Sequence, residues 1–147
     1  MKALITGASS GMGRDMAKIL SQNGYDLILV ARDEKRLEEV KKQLKTETKI
    51  VVMDISKEEN CKKIYEENKD IDILINNAGF GDCGHFEETS LDKDIQMIHT
   101  NIIAYHILTK LYLKEMIKKD SGKILNVASI AGCMPGPLMT TYYSTKN

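Results

Sequence analysis

Short, nearly unbroken apolar runs, each followed by a stretch whose apolar residues recur at helical intervals, leave this sequence few ways to fold. The runs are Lys2 to Ile5, Asp26 to Val30, Lys49 to Met53, Ile71 to Ile75 and Lys123 to Val127. Between them, Gly11 to Asn23 carries Met12, Met16, Ile19 and Leu20 and stops at Gly24, a good residue for a helix end. Asp33 to Leu44 carries Leu37, Val40 and Leu44, and Ser56 opens a polar helix to about Asn68, with Glu59 completing a capping box. Ser90 to about Lys118 reads as one long helix, and another begins near Thr140. Strands that are apolar on both faces belong in a parallel sheet covered by helices on each side. Right-handed crossovers then give a doubly wound α/β sheet.

A length of 147 residues fits one domain, expected over residues 1–147. Lys plus Arg and Asp plus Glu both number 21, so there is no charge excess to draw a nucleic acid or an anionic membrane. With no Trp and few aromatics, a base-stacking platform is disfavoured. No apolar run reaches the ~20 residues that span a bilayer, and no signal-peptide pattern opens the chain. Cys61, Cys83 and Cys133 match neither a disulfide framework nor a zinc motif, which fits reduced thiols in the cytoplasm. His85, His99 and His106 show no metal-ligand spacing. In the long helix, Ile95, Ile98, Ile102, Leu108, Tyr112 and Met116 form a stripe that Ile103, Ile107 and Leu111 widen. A helix so apolar is expected to be covered on two sides, by the sheet and by another copy of the chain in a homodimer or homotetramer.

The chemistry begins at Thr6-Gly7-Ala8-Ser9-Ser10-Gly11-Met12-Gly13, between the first strand and the first helix. Glycines there allow a tight turn and close approach of the backbone to a diphosphate, and the N–H groups of the helix start face that anion. This is the context of a Rossmann-like dinucleotide site, with the strand order expected to be 3-2-1-4-5. No GK[ST] follows, so the turn is not a nucleoside triphosphate loop.

The spacing TGxxxGxG resembles the first motif of the short-chain dehydrogenase/reductase family. The resemblance runs through the whole chain: Asn76-Asn77-Ala78-Gly79 after the fourth strand, Asn101 in the long helix, Ser129 after the fifth strand, and Tyr142 with Lys146 as a YxxxK pair. It implies an oxidoreductase that interconverts a small-molecule alcohol and carbonyl by hydride transfer with a nicotinamide cofactor. Thr6, Gly7, Ser9, Ser10, Gly11, Met12 and Gly13, with Asn77, Ala78 and Gly79, would line the cofactor. Tyr142 would be the proton donor and acceptor, and Lys146 would hold the nicotinamide ribose. Ser129 would hydrogen-bond the reacting oxygen, and Asn101 would anchor a water relay to Lys146. Tyr142 and Lys146 share a helical face; an ammonium beside a phenol favours the phenolate and so suits it to proton transfer. Tyr143 competes for the same role, but its spacing to Ser129 and Lys146 fits the motif less well.

The end of the second strand chooses between the two nicotinamide cofactors. NAD enzymes place a carboxylate there for the ribose 2′-hydroxyl. Here the position is Ala31, followed by Arg32, whose guanidinium suits a 2′-phosphate. This favours NADP(H). The alternative is that Arg32 is a solvated charge, and the adjacent Asp33 weighs that way. Asp54 resembles the family's adenine contact; it is equally suited to capping the approach to the next helix.

On the family pattern, two more strands, their helices and a substrate-covering loop lie beyond the position of Lys146. The sequence therefore reads as C-terminally incomplete. Its fifth strand is expected to be an exposed edge, and Tyr142 and Lys146 to lie on a frayed turn. A catalytically weak nucleotide-binding fragment or assembly module is thus the alternative to an active NADP(H)-dependent enzyme. A methyltransferase or other nucleotide-binding α/β protein is disfavoured, because YxxxK and NNAG have no work to do there.

Overall fold

The computed structural model describes all 147 residues. Five parallel strands lie in the order β3-β2-β1-β4-β5. They are β1 (Lys2–Thr6), β2 (Asp26–Ala31), β3 (Thr48–Val52), β4 (Ile73–Asn76) and β5 (Lys123–Asn126). The helices are α1 (Gly11–Gln22), α2 (Glu34–Lys41), α3 (Glu58–Glu67), α4 (Leu91–Ile98), α5 (Ala104–Lys119) and α6 (Thr140–Lys146). A π turn, His99–Ile103, joins α4 to α5 without a break.

Burial explains why the strands read as unbroken apolar runs. In β1, Ala3 and Ile5 enter one core with Leu27, Leu29, Leu37, Val40 and Ala17. Leu4 points to the other face and joins Ile28, Val30, Ile64, Leu74, Leu108 and Tyr112. Both faces of the central strands are thus dry, as a parallel sheet between helix layers requires. The Tyr112 hydroxyl stays satisfied in that core by donating to the Asn68 carbonyl at 3.0 Å.

Local chemistry corrects two sequence expectations. Ser56 does not cap α3: the helix starts after Lys57 and has no side-chain cap. Asp54 intervenes, its carboxylate accepting the Ser56 N–H at 3.0 Å and its carbonyl accepting from the Asn60 amide at 2.8 Å. An Asx turn of this kind draws Ser56 into the loop before the helix.

The second correction concerns the long helix. Ile95 and Ile102 are not on its buried face; they are exposed, and Ile98 is half-buried. Asp94, Met97, Thr100, Asn101 and Ala104 face inward in the first half, and Leu108, Tyr112 and Met116 in the second. The π turn adds a residue to one turn and rotates the inward face. Polar residues occupy that face near the turn, so an apolar stripe drawn from the sequence follows the wrong side. Leu91, Ile95, Ile102, Leu113 and Ile117 remain on the outside. β5 is the edge strand, and Leu125 is 46% exposed.

Candidate active site

The parallel topology gathers the loops after β1, β2, β3 and β4 at one edge of the sheet, where ligands bind in such folds. They enclose a cleft of about 480 Å³, within the range of small-molecule sites. Ser9, Ser10, Met12, Arg32, Asp54, Asn77, Ala78 and Gly79 all line it, together with Gly7.

Thr6 organises this cleft from behind. Its fully buried hydroxyl accepts the N–H groups of Asn77 at 3.0 Å and Ala78 at 3.1 Å. In return the Asn77 amide donates to the carbonyls of Thr6 at 2.9 Å and Gly7 at 3.2 Å. The β1 and β4 loops are therefore fastened to each other. The glycine at position 7 is forced by two conditions: φ is +67°, and a Cβ would stand 2.7 Å from the Ala78 Cα. At Gly13 a Cβ would come within 2.4 Å of the Gly7 carbonyl oxygen. Gly11 is different, because its φ is +52° but no atom crowds it.

α1 starts at this cleft, and the Ser10 side chain does not cap it. The open helix start offers backbone N–H groups to an anion. Arg32 is exposed on the wall near α2. Asp33 is the N-cap of α2, where its carboxylate accepts the Arg36 N–H at 3.0 Å and pairs with the Arg36 guanidinium at 3.3 Å. Arg36 also lines the cleft and was not singled out by the motif. An uncapped helix start, a glycine-cleared floor and two guanidinium groups fit a dinucleotide bearing an additional phosphate.

None of the four motif residues expected to do chemistry lines this cleft, and Asn101, Tyr142 and Lys146 stand beside it. Asn101 and Lys146 meet it at Gly79, where a Cβ would stand 3.0 Å from Asn101 Oδ1 and 3.4 Å from Lys146 Nζ. Asn101 lies in the π turn, buried, and its side-chain oxygen accepts the Phe80 N–H at 3.2 Å. Its amide donates to the Phe80 carbonyl at 3.0 Å and to the Thr145 hydroxyl at 2.9 Å. Lys146 donates to the Val127 carbonyl at 3.3 Å. The Tyr142 ring packs beside Gly81, where a Cβ would approach it to 3.0 Å. Ser129 accepts the Ala131 N–H at 3.1 Å and so caps the short turn after β5.

These contacts correct the expectation that Tyr142 and Lys146 sit on a frayed turn. α6 is formed, and Asn101, Val127 and the close backbone approach at Gly132 hold it. Tyr105 was also missed by the sequence pattern. It is the second residue past the π turn and stands beside Lys146 and Tyr142.

The wider surroundings add constraints. No group of three or more His, Cys, Asp or Glu is placed to hold a metal ion. No helix is long and apolar enough to cross a membrane. Burial, helped by nearby carboxylates, pushes the Cys61 thiol up to about 12, whereas Cys83 and Cys133 are free and exposed.

Comparison with known proteins gives a consistent result. Residues 1–147 match the family model described as short chain dehydrogenase. An uncharacterized oxidoreductase of Staphylococcus epidermidis is 35% identical over 98% of this chain, which covers 64% of that relative. The human very-long-chain 3-oxoacyl-CoA reductase is 32% identical over 98% of the chain and 49% of its own length. A short-chain dehydrogenase of Sphingobium yanoikuyae, solved in complex with NADPH, superposes with a TM-score of 0.91 at 30% identity, over 99% of this chain and 59% of that one.

Proposed function

The chain belongs to the short-chain dehydrogenase/reductase family, and from that premise we propose that residues 1–147 form one dinucleotide-binding unit that takes NADP(H) and serves a carbonyl–alcohol oxidoreductase. The chain spans 64% of the length of the Staphylococcus relative. The observation that carries the reading is the convergence at Gly79 of a phosphate-ready cleft with Asn101 and Lys146, Tyr142 lying alongside at Gly81.

NADP(H), when bound, supplies or accepts the hydride at its nicotinamide ring. The uncapped start of α1, with Gly7, Ser9, Ser10, Gly11, Met12 and Gly13, holds the diphosphate. Arg32 reads the 2′-phosphate, and Asp33 does not oppose it, because its carboxylate is engaged by Arg36. Asp54 bounds the adenine end, and Asn77, Ala78 and Gly79 carry the cofactor path toward α6.

Tyr142 gives a proton to the carbonyl oxygen in reduction and takes it back in oxidation. Lys146 places a positive charge on the same helical face and holds the nicotinamide ribose. Ser129 donates to the substrate oxygen, and Asn101 fixes α6 against the Phe80 backbone beside the cleft. The outer face of α4 and α5 provides a surface for a second copy of the chain, as a homodimer or homotetramer. The free thiols suit a cytoplasmic setting. Fluorescence titration of the purified chain with NADPH and NADH tests this reading. NADPH should bind more tightly, and a chain that binds neither would refute the assignment.

A further inference from the structure

We propose that Tyr105 is a positioning residue for Lys146: the face of its ring holds the ammonium in place for the nicotinamide ribose. This rests on the NADP(H) reading above. Lys146 Nζ lies 5.5 Å from the centre of the Tyr105 ring, inside the ~6 Å range in which a cation is attracted by an aromatic face. Its only hydrogen bond within the chain is to the Val127 carbonyl, at 3.3 Å. One long hydrogen bond leaves a four-carbon side chain considerable freedom. The ring supplies the second restraint, from a different helix than the one that carries Lys146. No carboxylate is paired with Lys146, so the ring and a neutral carbonyl are what fix this charge.

The hydroxyl of Tyr105 has a separate status. Its oxygen is buried and makes no hydrogen bond. Burial and then the neighbouring Tyr142 hold the phenol well above its ordinary range, so at neutral pH it is no rival to Tyr142 in proton transfer. The contact with Lys146 therefore belongs to the ring. Phe at this position should preserve it and also remove an unsatisfied polar atom. An aliphatic residue should fill the space and lose the attraction.

The test compares two ligands on the purified 147-residue chain: NADPH, which reaches Lys146 through its nicotinamide ribose, and adenosine 2′,5′-bisphosphate, which ends before it. Tyr105→Leu should weaken NADPH roughly three- to tenfold and leave adenosine 2′,5′-bisphosphate unchanged. Tyr105→Phe should match the wild type for both ligands. Tyr105→Met, a flexible apolar filler, repeats the Leu arm if Tyr105→Leu fails to fold. Loss of both ligands in equal measure would show a merely structural role and overturn the proposal. So would unchanged NADPH binding in the aliphatic variants, or a Phe variant that behaves like Leu. A wild-type chain that binds neither ligand would refute the cofactor reading itself, a result distinct from any of these.

Discussion

Replacing Thr6 with Val keeps the side-chain shape and removes one oxygen, so it isolates what that oxygen does. In the native chain the hydroxyl accepts two backbone N–H groups, at 3.0 and 3.1 Å, and donates weakly to the Ile75 carbonyl at 3.4 Å. Thr6 is fully buried, so water does not replace the lost acceptor from the β1 side. Each short bond contributes about 1 kcal/mol net, and the long one little, so Thr6→Val should cost about 2 kcal/mol. That is roughly a thirtyfold loss in the folding constant, or about 6 °C in Tm for a chain of this size. Thr6→Ser keeps the oxygen and deletes one methyl, at about 1 kcal/mol. Urea unfolding followed by circular dichroism gives both values on the purified chain. NADPH affinity of the folded Val variant should also fall, since Asn77 and Ala78 form the cleft wall. Equal stability of the Val and Ser variants would refute the fastening role of the hydroxyl.

Other outcomes follow from the same geometry. Gly7→Ala should be far more damaging than Gly11→Ala, because the first adds a backbone collision to a left-handed φ and the second adds only about 1 kcal/mol of strain; thermal melts rank them directly. Arg32→Ala should erase most of the preference for NADPH over NADH in paired titrations, and equal affinities in the native chain would contradict the assignment. In a protein extended to the length of the relatives, Tyr142→Phe should abolish carbonyl reduction while keeping NADPH binding, and Tyr143→Phe should lose little. Thiol labelling at pH 8 should modify Cys83 and Cys133 and spare Cys61. Because the folded thiol of Cys61 is raised from 9.0 to about 12, the stability it contributes is whole below about pH 9 and is lost as pH rises toward 12. Ile95→Glu and Ile117→Lys on the outer helix face should reduce self-association in sedimentation; unchanged sedimentation, or a native chain that is already a monomer, would remove that face as the contact.

The sheet was legible because its strands are apolar on both sides, a pattern that admits one architecture. The glycine loop was legible because backbone geometry, not side-chain chemistry, dictates its residues. The inward face of the long helix was not, since Asp94, Thr100 and Asn101 lie on it and a π turn shifts its phase. Ser56 was misread because Asp54, two residues earlier, accepts the Ser56 N–H that Glu59 would accept in a capping box. Arg36 and Tyr105 were missed for a related reason. Their positions depend on which loops the topology brings together, and no local spacing in the sequence records it.

The link between Thr6 and Asn77 also sets a schedule for the chain. β1 pairs on one side with β2 and on the other with β4, which is made much later. Closing that interval costs loop entropy before any contact rewards it. While the protein is being synthesised, the glycine turn after β1 has its Val30 partner early, but the amides of Asn77 and Ala78 do not yet exist. The nascent chain thus carries an open central strand edge until β4 emerges, and the capacity to hold a nucleotide arrives late and in one step. A cofactor present during refolding should therefore trap finished molecules and leave the early phase of folding untouched.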